Sequence, residues 1–274
     1  MNEMERAAVE NLHVIDFHAH IYPQKIAAKA SQNVGRFYGI SIAHDGTVES
    51  LLESGKSAGI THFMVQSVAT RADQVSGINC FIASVCKADP EHFVGYGTLH
   101  PALEKPDEAI CQIEALGLKG VKLHPDFQEF KIDDPVMYPI YEMLEGRLPI
   151  LFHTGDYRYE YSHPRRLAKV LKRFPKLQTV AAHFGGWSVW KDGEQYLADT
   201  ACMIDTSSTL PFIDNKEAER LIHVFGAERV LFGTDFPMWD HVKEWERFFA
   251  LDLSETERKQ ICHDNACRLL EVSW

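Results

Sequence analysis

Short apolar runs alternate with helical patterns along the whole chain of 274 residues. Eight of these runs have the length and apolar content of buried strands: His13–His20, His62–Ser67, Phe93–Leu99, Gly120–His124, Pro149–Thr154, Thr179–Phe184, Met203–Ser208 and Val230–Phe236. Strands that alternate with helices imply parallel strands joined by crossover helices, and eight repeats in this length predict a (β/α)8 TIM barrel. A doubly wound open sheet is the structural alternative.

Local signals predict two helix boundaries. Apolar residues at helical spacing follow Asp107, which is an N-cap or a first-turn acid, and Gly117 ends that helix. The last helix opens with Ser254 and Glu257 at the spacing of a capping box and runs through residues 261–270. No low-complexity segment or linker rich in proline and serine interrupts the chain, so we predict a single α/β domain over residues 1–274.

Charge and composition exclude several kinds of partner. With 28 basic and 39 acidic residues the net charge is −11, which argues against nucleic acid and against an anionic membrane surface. No apolar run approaches the roughly 20 residues of a membrane helix, and the polar start of the chain does not resemble a signal peptide. We therefore expect a cytoplasmic protein. Six cysteines without a C-x-x-C pair predict reduced, mostly buried thiols.

Two histidines end the first predicted strand, in the sequence Asp16-Phe17-His18-Ala19-His20. Residues two apart on a strand point to the same face, so both imidazoles can bind one metal ion. A pair of histidines at this spacing is a weak signal by itself. Similar residues recur at the ends of four other strands: Lys122, His124, His153, His183 and Asp235. A barrel carries its chemistry at the carboxyl ends of its strands, which is where all of these residues lie.

Two histidines from one strand, His153 from another and the carboxylate of Asp235 form a set of four ligands that leaves a position for water. His183 is the natural neighbour of that water and suits general acid–base or electrostatic work. Each residue also has a purely structural explanation. His153 can bond a backbone carbonyl, and Asp235, two residues before Pro237, can cap a helix or a turn.

The motifs resemble the amidohydrolase superfamily, and within it the amidohydrolase-2 group of aminocarboxymuconate-semialdehyde decarboxylase-like enzymes. The resemblance covers nearly the whole chain, and its motifs keep the family's order: Asp16–His20, Gly120–Pro125, Phe152–Gly155, Ala182–Gly186, Gly233–Asp235 and Asn265-Ala266. It implies His18, His20, His153 and Asp235 as the metal ligands and His183 as the catalytic histidine. It also implies a divalent metal, with zinc first and manganese or another ion as alternatives.

Lys122 is the residue at which this family divides. In relatives with two metals, a lysine at this position is carboxylated and bridges them. The alternative is a buried structural cation paired with a carboxylate such as Asp16. His124, two residues later, suits contact with substrate more than with metal. We therefore favour one metal ion.

Three further residues are candidates for substrate binding. Tyr22 belongs to the long connection after the first strand, which can fold over the site as a cap. Arg158 can clamp a carboxylate, although a weak surface ion pair is equally consistent with its position. Trp187 follows the motif of the sixth strand and is a candidate pocket wall, although aromatic residues of a barrel often belong to its core.

Three functions remain open. The first is hydrolysis of an amide, ester or lactone bond in a small, carboxylated molecule, in which Asp235 accepts a proton from a metal-bound water and His183 polarises the carbonyl. The second is non-oxidative decarboxylation of an unsaturated or aromatic acid by the same ligand set. A metal-dependent binder without catalysis ranks last, because both His183 and Asp235 are present. Related barrels often form dimers, so a homodimer is a further expectation.

Overall fold

The computed structural model describes residues 3–274. Its strands are β1 (Ile15–His20), β2 (His62–Gln66), β3 (Phe93–Gly95), β4 (Gly97–Thr98), β5 (Val121–Leu123), β6 (Ile150–Phe152), β7 (Thr179–Ala181), β8 (Met203–Asp205) and β9 (Val230–Leu231). Its α-helices are α1 (Glu3–Leu12), α2 (Gln24–Tyr38), α3 (Val48–Ala58), α4 (Val75–Ala88), α5 (Pro106–Ala115), α6 (Pro125–Gln128), α7 (Tyr138–Leu144), α8 (Pro164–Arg173), α9 (Trp190–Leu197), α10 (Asn215–Phe225), α11 (His241–Phe249), α12 (Glu255–Lys259) and α13 (Asn265–Leu270).

All eight predicted strand positions contain a strand, but the third is divided at Tyr96 into β3 and β4. Hydrogen bonds continue on either side of the division, from Lys119 N to Gly95 O and from Gly97 N to Gly120 O. Most strands end earlier than predicted. Their final polar residues leave the regular ladder, and these are the residues that the sequence analysis placed at the strand ends.

The chain forms two compact units. The first contains the chain up to Val65, Asp89–Phe93 and Thr206–Trp274, and the second contains Gln66–Ala88 and Val94–Asp205. The prediction of a single domain is not tested by this division and stays a prediction.

Five parallel strands, β4 to β8, form the sheet of the second unit in chain order. Their register pairs Val121 with Ile150, Leu151 with Val180 and Ala181 with Ile204. These residues are buried, which explains the continuous apolar runs in the sequence. The parallel register brings the carboxyl ends of the five strands to one edge of the sheet.

In the first unit, β1 extends beside the chain that follows β9. Phe17 N donates to Phe232 O at 2.9 Å, and a parallel bridge joins Ala19 to Phe236. Phe17, Phe232 and Trp245 are fully or almost fully buried there. This pairing sets the carboxyl end of β1 next to residues 233–236.

The two helix predictions have different outcomes. α5 ends before Gly117, with Asp107 in its first turn, as predicted. Ser254 and Glu257 form both hydrogen bonds of a capping box. The predicted last helix is not continuous, because a π-helical turn over Gln260–Asp264 separates α12 from α13.

No helix among residues 3–274 is long and apolar enough to cross a membrane. All six cysteines are free. The expectation of mostly buried thiols was wrong, because Cys80 and Cys111 are exposed and only Cys202 and Cys262 are fully buried.

Candidate metal centre

Two histidines and an aspartate of the first unit converge at the carboxyl end of β1. The Nε2 atoms of His18 and His20 lie 3.2 Å apart. Asp235 Oδ1 lies 3.4 Å from the first nitrogen and 3.6 Å from the second. His18 and Asp235 are buried, and His20 is half-buried. The structure thus brings together three of the four residues predicted as ligands, and their role as ligands stays a proposal.

The backbone explains this convergence. His18 and His20 share a face of β1 because strand residues alternate. Asp235 N donates to His18 O at 2.8 Å, which fixes the aspartate beside the strand. Gly233 permits the close approach, since a Cβ atom at that position would lie 2.8 Å from the Cβ of His18. Asp235 itself has φ 61°, a left-handed conformation that is costly for a residue with a side chain.

This donor set fits a divalent transition metal ion. The ligand atoms of His18, His20 and Asp235 all lie within 4.8 Å of one another. The two imidazole rings are tilted by 47°, so their lone pairs can converge. A tetrahedral ion at about 2.0–2.1 Å from each donor separates neighbouring donors by about 3.3 Å, close to the three distances measured here.

Two serines that sequence reasoning missed hold the side chains of His18 and Asp235. Ser207 Oγ lies 3.0 Å from His18 Nδ1, which leaves Nε2 facing the other donors. Ser208 Oγ donates to Asp235 Oδ2 and accepts a hydrogen bond from Trp239 Nε1 at 2.8 Å. Such outer partners orient metal ligands. The available signal was the polar run after β8, which the sequence analysis counted as part of the strand.

Asp16 ties the two ligand-bearing segments together. Its carboxylate accepts hydrogen bonds from His18 N at 2.9 Å and from Thr234 N and Oγ1 at 3.0 and 2.6 Å. His241 Nε2 lies 3.0 Å from the same carboxylate, and both side chains are fully buried. Burial favours a raised pKa for Asp16, but the hydrogen bonds and the His241 charge outweigh it and lower the pKa.

Tyr22 lies in the electrostatic neighbourhood of Asp235. Burial, and then the charge of Asp235, raise the pKa of the Tyr22 hydroxyl above its usual value. The hydroxyl therefore stays protonated and can donate a hydrogen bond. Its role in substrate binding stays a proposal.

In the second unit, His153 and His183 face each other after β6 and β7. His153 Nδ1 lies 3.0 Å from His183 Nε2, and both residues are buried. His183 has φ 62° and is held in this left-handed conformation by a hydrogen bond from its N–H to Asp205 Oδ1 at 2.9 Å. The structure thus places His183, the predicted acid–base histidine, in a defined contact with His153, the predicted ligand that follows β6.

Asp126 is a further buried acid that sequence reasoning did not single out. Its Oδ2 accepts from Ser162 Oγ at 2.6 Å and lies 3.5 Å from His153 Nε2. Among residues 3–274, its Oδ1 has no hydrogen-bond partner. Burial raises the pKa of Asp126 to about 7, against the Ser162 hydrogen bond and with the help of the Asp156 charge. The signal in the sequence was its place directly after the His124-Pro125 motif.

His124, Asp126 and His153 also have ligand atoms within 4.8 Å of one another. The rings of His124 and His153 are stacked, however, with centroids 4.0 Å apart and planes 6° apart. Their lone pairs therefore run side by side and do not converge on one ion. The stacking fixes the orientation of His153, and the expectation that His124 contacts substrate more than metal stays a prediction.

The other predicted residues lie as follows. Lys122 is buried within β5. Arg158 forms a two-point ion pair with the buried carboxylate of Asp156, with Nε–Oδ1 at 2.9 Å and Nη2–Oδ2 at 2.6 Å. Trp187 is half-buried and bonds through its backbone to Thr154 O. Lysine carboxylation, the pairing of Lys122 with Asp16, and the substrate roles of Arg158 and Trp187 stay predictions.

A family model described as amidohydrolase matches residues 15–272. Among curated proteins, the chain is 23% identical over 241 residues to 2-amino-3-carboxymuconate-6-semialdehyde decarboxylase of Dictyostelium discoideum. That match covers 72% of this chain and 66% of the relative, which is just under two thirds of its length.

Solved structures show the fold. An uncharacterised TIM-barrel protein from Bordetella bronchiseptica matches with a TM-score of 0.75 at 23% identity, over 94% of this chain and 98% of that one. For 5-carboxyvanillate decarboxylase from Sphingomonas paucimobilis the TM-score is 0.73 at 17% identity, over 96% and 100% of the two chains. The prediction of a (β/α)8 barrel is confirmed, and the open sheet is excluded.

Manganese is bound in another matched structure, dihydroxybenzoic acid decarboxylase from a Polaromonas species. It matches with a TM-score of 0.71 at 15% identity, over 94% of this chain and 96% of that one. The prediction that the chain binds a divalent metal agrees with the manganese in this relative. The descriptions of these relatives do not name zinc.

Proposed function

The chain belongs to the amidohydrolase family, and on that premise we propose that it is a metal-dependent, non-oxidative decarboxylase of a small aromatic or unsaturated carboxylic acid. The observation that carries the proposal is the convergence of His18, His20 and Asp235 in a chain several of whose matched relatives are named decarboxylases. The relatives' names support decarboxylation over hydrolysis, which the sequence analysis ranked first.

His18, His20 and Asp235 would hold the divalent ion, and the family resemblance adds His153 to them. A bound divalent ion supplies concentrated positive charge for the oxygen atoms of an acidic substrate. The net charge of the chain is −11, which repels carboxylates, so this local positive charge is needed to attract an acidic substrate. Ser207 and Ser208 keep the donor atoms of His18 and Asp235 in place.

The reaction exchanges a carboxylate for a hydrogen atom. The bond from the substrate carbon to its carboxylate breaks, carbon dioxide leaves, and the electron pair stays on the carbon and takes up one proton. In our proposal His183 holds this proton. Its Nε2 atom shares a contact of 3.0 Å with His153 Nδ1, so one of the two nitrogens must carry a hydrogen. Burial of both rings keeps bulk water away from that proton.

Asp235 has two roles in the proposal, one for each carboxylate oxygen. Oδ1 faces His18 and His20, whereas Oδ2 is held by Ser208. One carboxylate can therefore be a ligand on one oxygen and accept or return a proton on the other. Tyr22, Lys122, His124, Arg158 and Trp187 are proposed as contacts to substrate.

Isotope labelling separates the two reactions that the ligand set permits. The purified, manganese-loaded protein is incubated in deuterium oxide enriched in oxygen-18 with 5-carboxyvanillate, 2,6-dihydroxybenzoate, 2-amino-3-carboxymuconate semialdehyde and a set of lactones. We expect one equivalent of carbon dioxide per product, one deuterium on the product carbon, and no oxygen-18 in the non-volatile product. Oxygen-18 in a cleaved lactone, without carbon dioxide release, would instead establish hydrolysis.

A further inference from the structure

A second group of histidines lies at the opposite end of β1 and β2 within the first unit. His62 and His92 have ring centroids 5.9 Å apart, and His13 and His263 have centroids 6.3 Å apart. Trp274 joins the two pairs, because its ring lies 5.0 Å from His62 and its carbonyl oxygen lies 3.0 Å from His263 Nε2. We name His13, His62, His92 and His263 the histidine cluster.

The cluster is separate from the candidate metal centre. His13 lies two residues before β1, the strand that carries His18 and His20, and His62 is the first residue of β2. Strand residues advance by about 3.3 Å each, so the two groups lie roughly 20 Å apart along β1. The three histidines other than His13 are half-buried, and His13 is exposed.

Neighbouring oxygen atoms orient the rings of His62 and His92. His92 Nδ1 lies 2.8 Å from Asp89 Oδ1, and His62 Nδ1 lies 3.1 Å from Thr61 Oγ1. Both contacts use Nδ1 and leave Nε2 available. A carboxylate on one ring nitrogen, as Asp89 is for His92, is a common outer partner of a metal-binding histidine.

The ring geometry differs from that of the stacked pair His124 and His153. The planes of His62 and His92 are 46° apart, and those of His13 and His263 are 58° apart. Tilted rings can direct their lone pairs to one point. Two imidazoles on one tetrahedral ion have centroids about 5–6 Å apart, given bonds of about 2.0–2.1 Å. His62 and His92 are already within this range.

The electrostatics of the cluster favour a neutral His62 side chain. Burial lowers the pKa of His62, and the charges of His92, His13 and His263 lower it further. Burial and the neighbouring rings therefore both favour the neutral form of His62, which is the form that can bind a metal ion. Cys267 Sγ lies 3.5 Å from His263 Nε2 at the edge of the cluster.

We propose that the histidine cluster is a second, peripheral site for a divalent cation of the zinc, nickel and copper type, with His62 and His92 as its principal ligands. Imidazole prefers these ions to magnesium or calcium. The four rings are not among the groups of residues 3–274 whose ligand atoms already lie within 4.8 Å. Binding therefore requires the half-exposed side chains to rotate toward one another.

Equilibrium dialysis against zinc tests this proposal on the full chain. We expect two zinc ions per wild-type chain, one in the double variant His62→Gln/His92→Gln and one in His18→Ala/His20→Ala. The control His223→Ala, an exposed histidine paired with Glu257 outside the cluster, should keep two. Unfolding temperatures in chelator verify that each variant is folded.

The outcomes separate this proposal from the proposed function. Equal zinc uptake by wild type and His62→Gln/His92→Gln would overturn the peripheral site and leave the metal centre intact. No zinc on His18→Ala/His20→Ala would overturn it as well, and that variant keeps the cluster unaltered. Loss of one zinc ion in the cluster variant alone would support the peripheral site even if the enzyme proved not to be a decarboxylase.

Discussion

Three of the polar residues assigned to the chemistry or to its support adopt left-handed backbone conformations two to four residues after the end of a strand. The φ angles are 62° at His183, 48° at Ser208 and 61° at Asp235. Such conformations cost on the order of 1–3 kcal/mol each for residues with side chains. Hydrogen bonds from His183 N to Asp205 and from Asp235 N to His18 O stabilise two of them. The fold is therefore less stable than it could be at the positions where these side chains turn out of the sheet.

His183→Asn tests the acid–base role without adding backbone strain, because asparagine tolerates the left-handed region. We expect turnover to fall by roughly 10²–10⁴-fold, the usual contribution of a positioned acid or base, with the metal content unchanged. Steady-state kinetics and elemental analysis give both readouts. His223→Asn is the matched control and should behave as wild type. A fall of only a few-fold, or loss of metal in His183→Asn, would contradict the role.

His241→Ala tests the hydrogen-bonded group around Asp16. The substitution leaves a fully buried carboxylate without its histidine partner, which typically costs about 3–5 kcal/mol. Urea unfolding of metal-free wild type and variant measures the difference. Since Asp16 also bonds His18 N and Thr234, we expect weaker metal binding in the same variant. A change below about 1 kcal/mol would show that Asp16 does not depend on His241.

At this scale the sequence predicted the residues of the candidate metal centre better than the residues that support them. His18, His20 and Asp235 could be found because strand periodicity and strand ends are readable in one dimension. The partners Ser207, Ser208 and His241 come from distant parts of the chain, and no local pattern links them to β1. Their contacts exist only once the strands are paired.

At the scale of elements, α11 carries a buried acid on the face that packs inward. Glu244 is fully buried and pairs with Arg247 through Oε1, whereas its Oε2 has no partner among residues 3–274. Burial raises the pKa of Glu244 to about 8, the Arg247 charge opposes this rise, and the charges of Asp235 and Asp16 add to it. The surroundings of Glu244 on α11 therefore favour its protonated form.

Glu244→Gln should change how stability depends on pH. The folded pKa of about 8 exceeds the ordinary 4.5, so the folded state binds the proton more tightly and stability falls as pH rises between these values. The stability of the variant relative to wild type should therefore increase as the pH rises through this window, by at most about 1.4 kcal/mol per pH unit. Urea unfolding of metal-free protein at pH 5, 6.5 and 8 measures it. A pH-independent difference would show that Glu244 is ionised throughout.

Element types were predictable, whereas element ends were less so. The capping box of α12 and the end of α5 at Gly117 depend on neighbouring residues and were read correctly. The π-helical turn over Gln260–Asp264 was not foreseen, because the apolar spacing continues through it. Phe232 N bonds to Ile261 O within this turn, so its geometry depends on a contact 29 residues away in sequence.

At the scale of the whole molecule, the alternation of strands and helices was the informative signal. It predicted the barrel fold that the solved structures share with this chain. Composition contributed the acidic net charge of −11, which makes a local positive charge necessary for an anionic substrate. The choice between hydrolysis and decarboxylation could not be read from the chain, because both reactions use the same ligand set and differ in which substrate bond is held beside it.

The central claim is that this chain is a decarboxylase that depends on one metal ion held by His18, His20 and Asp235. The most direct test titrates metal-depleted protein with manganese while carbon dioxide release from the accepted acid is recorded. Manganese is suitable because it binds imidazole clusters weakly compared with zinc or copper. We predict a rate that rises from near zero and reaches its plateau at one manganese ion per chain. Three results would contradict the account: carbon dioxide release that does not depend on manganese, a plateau only at two manganese ions per chain, or no release from any of the acids.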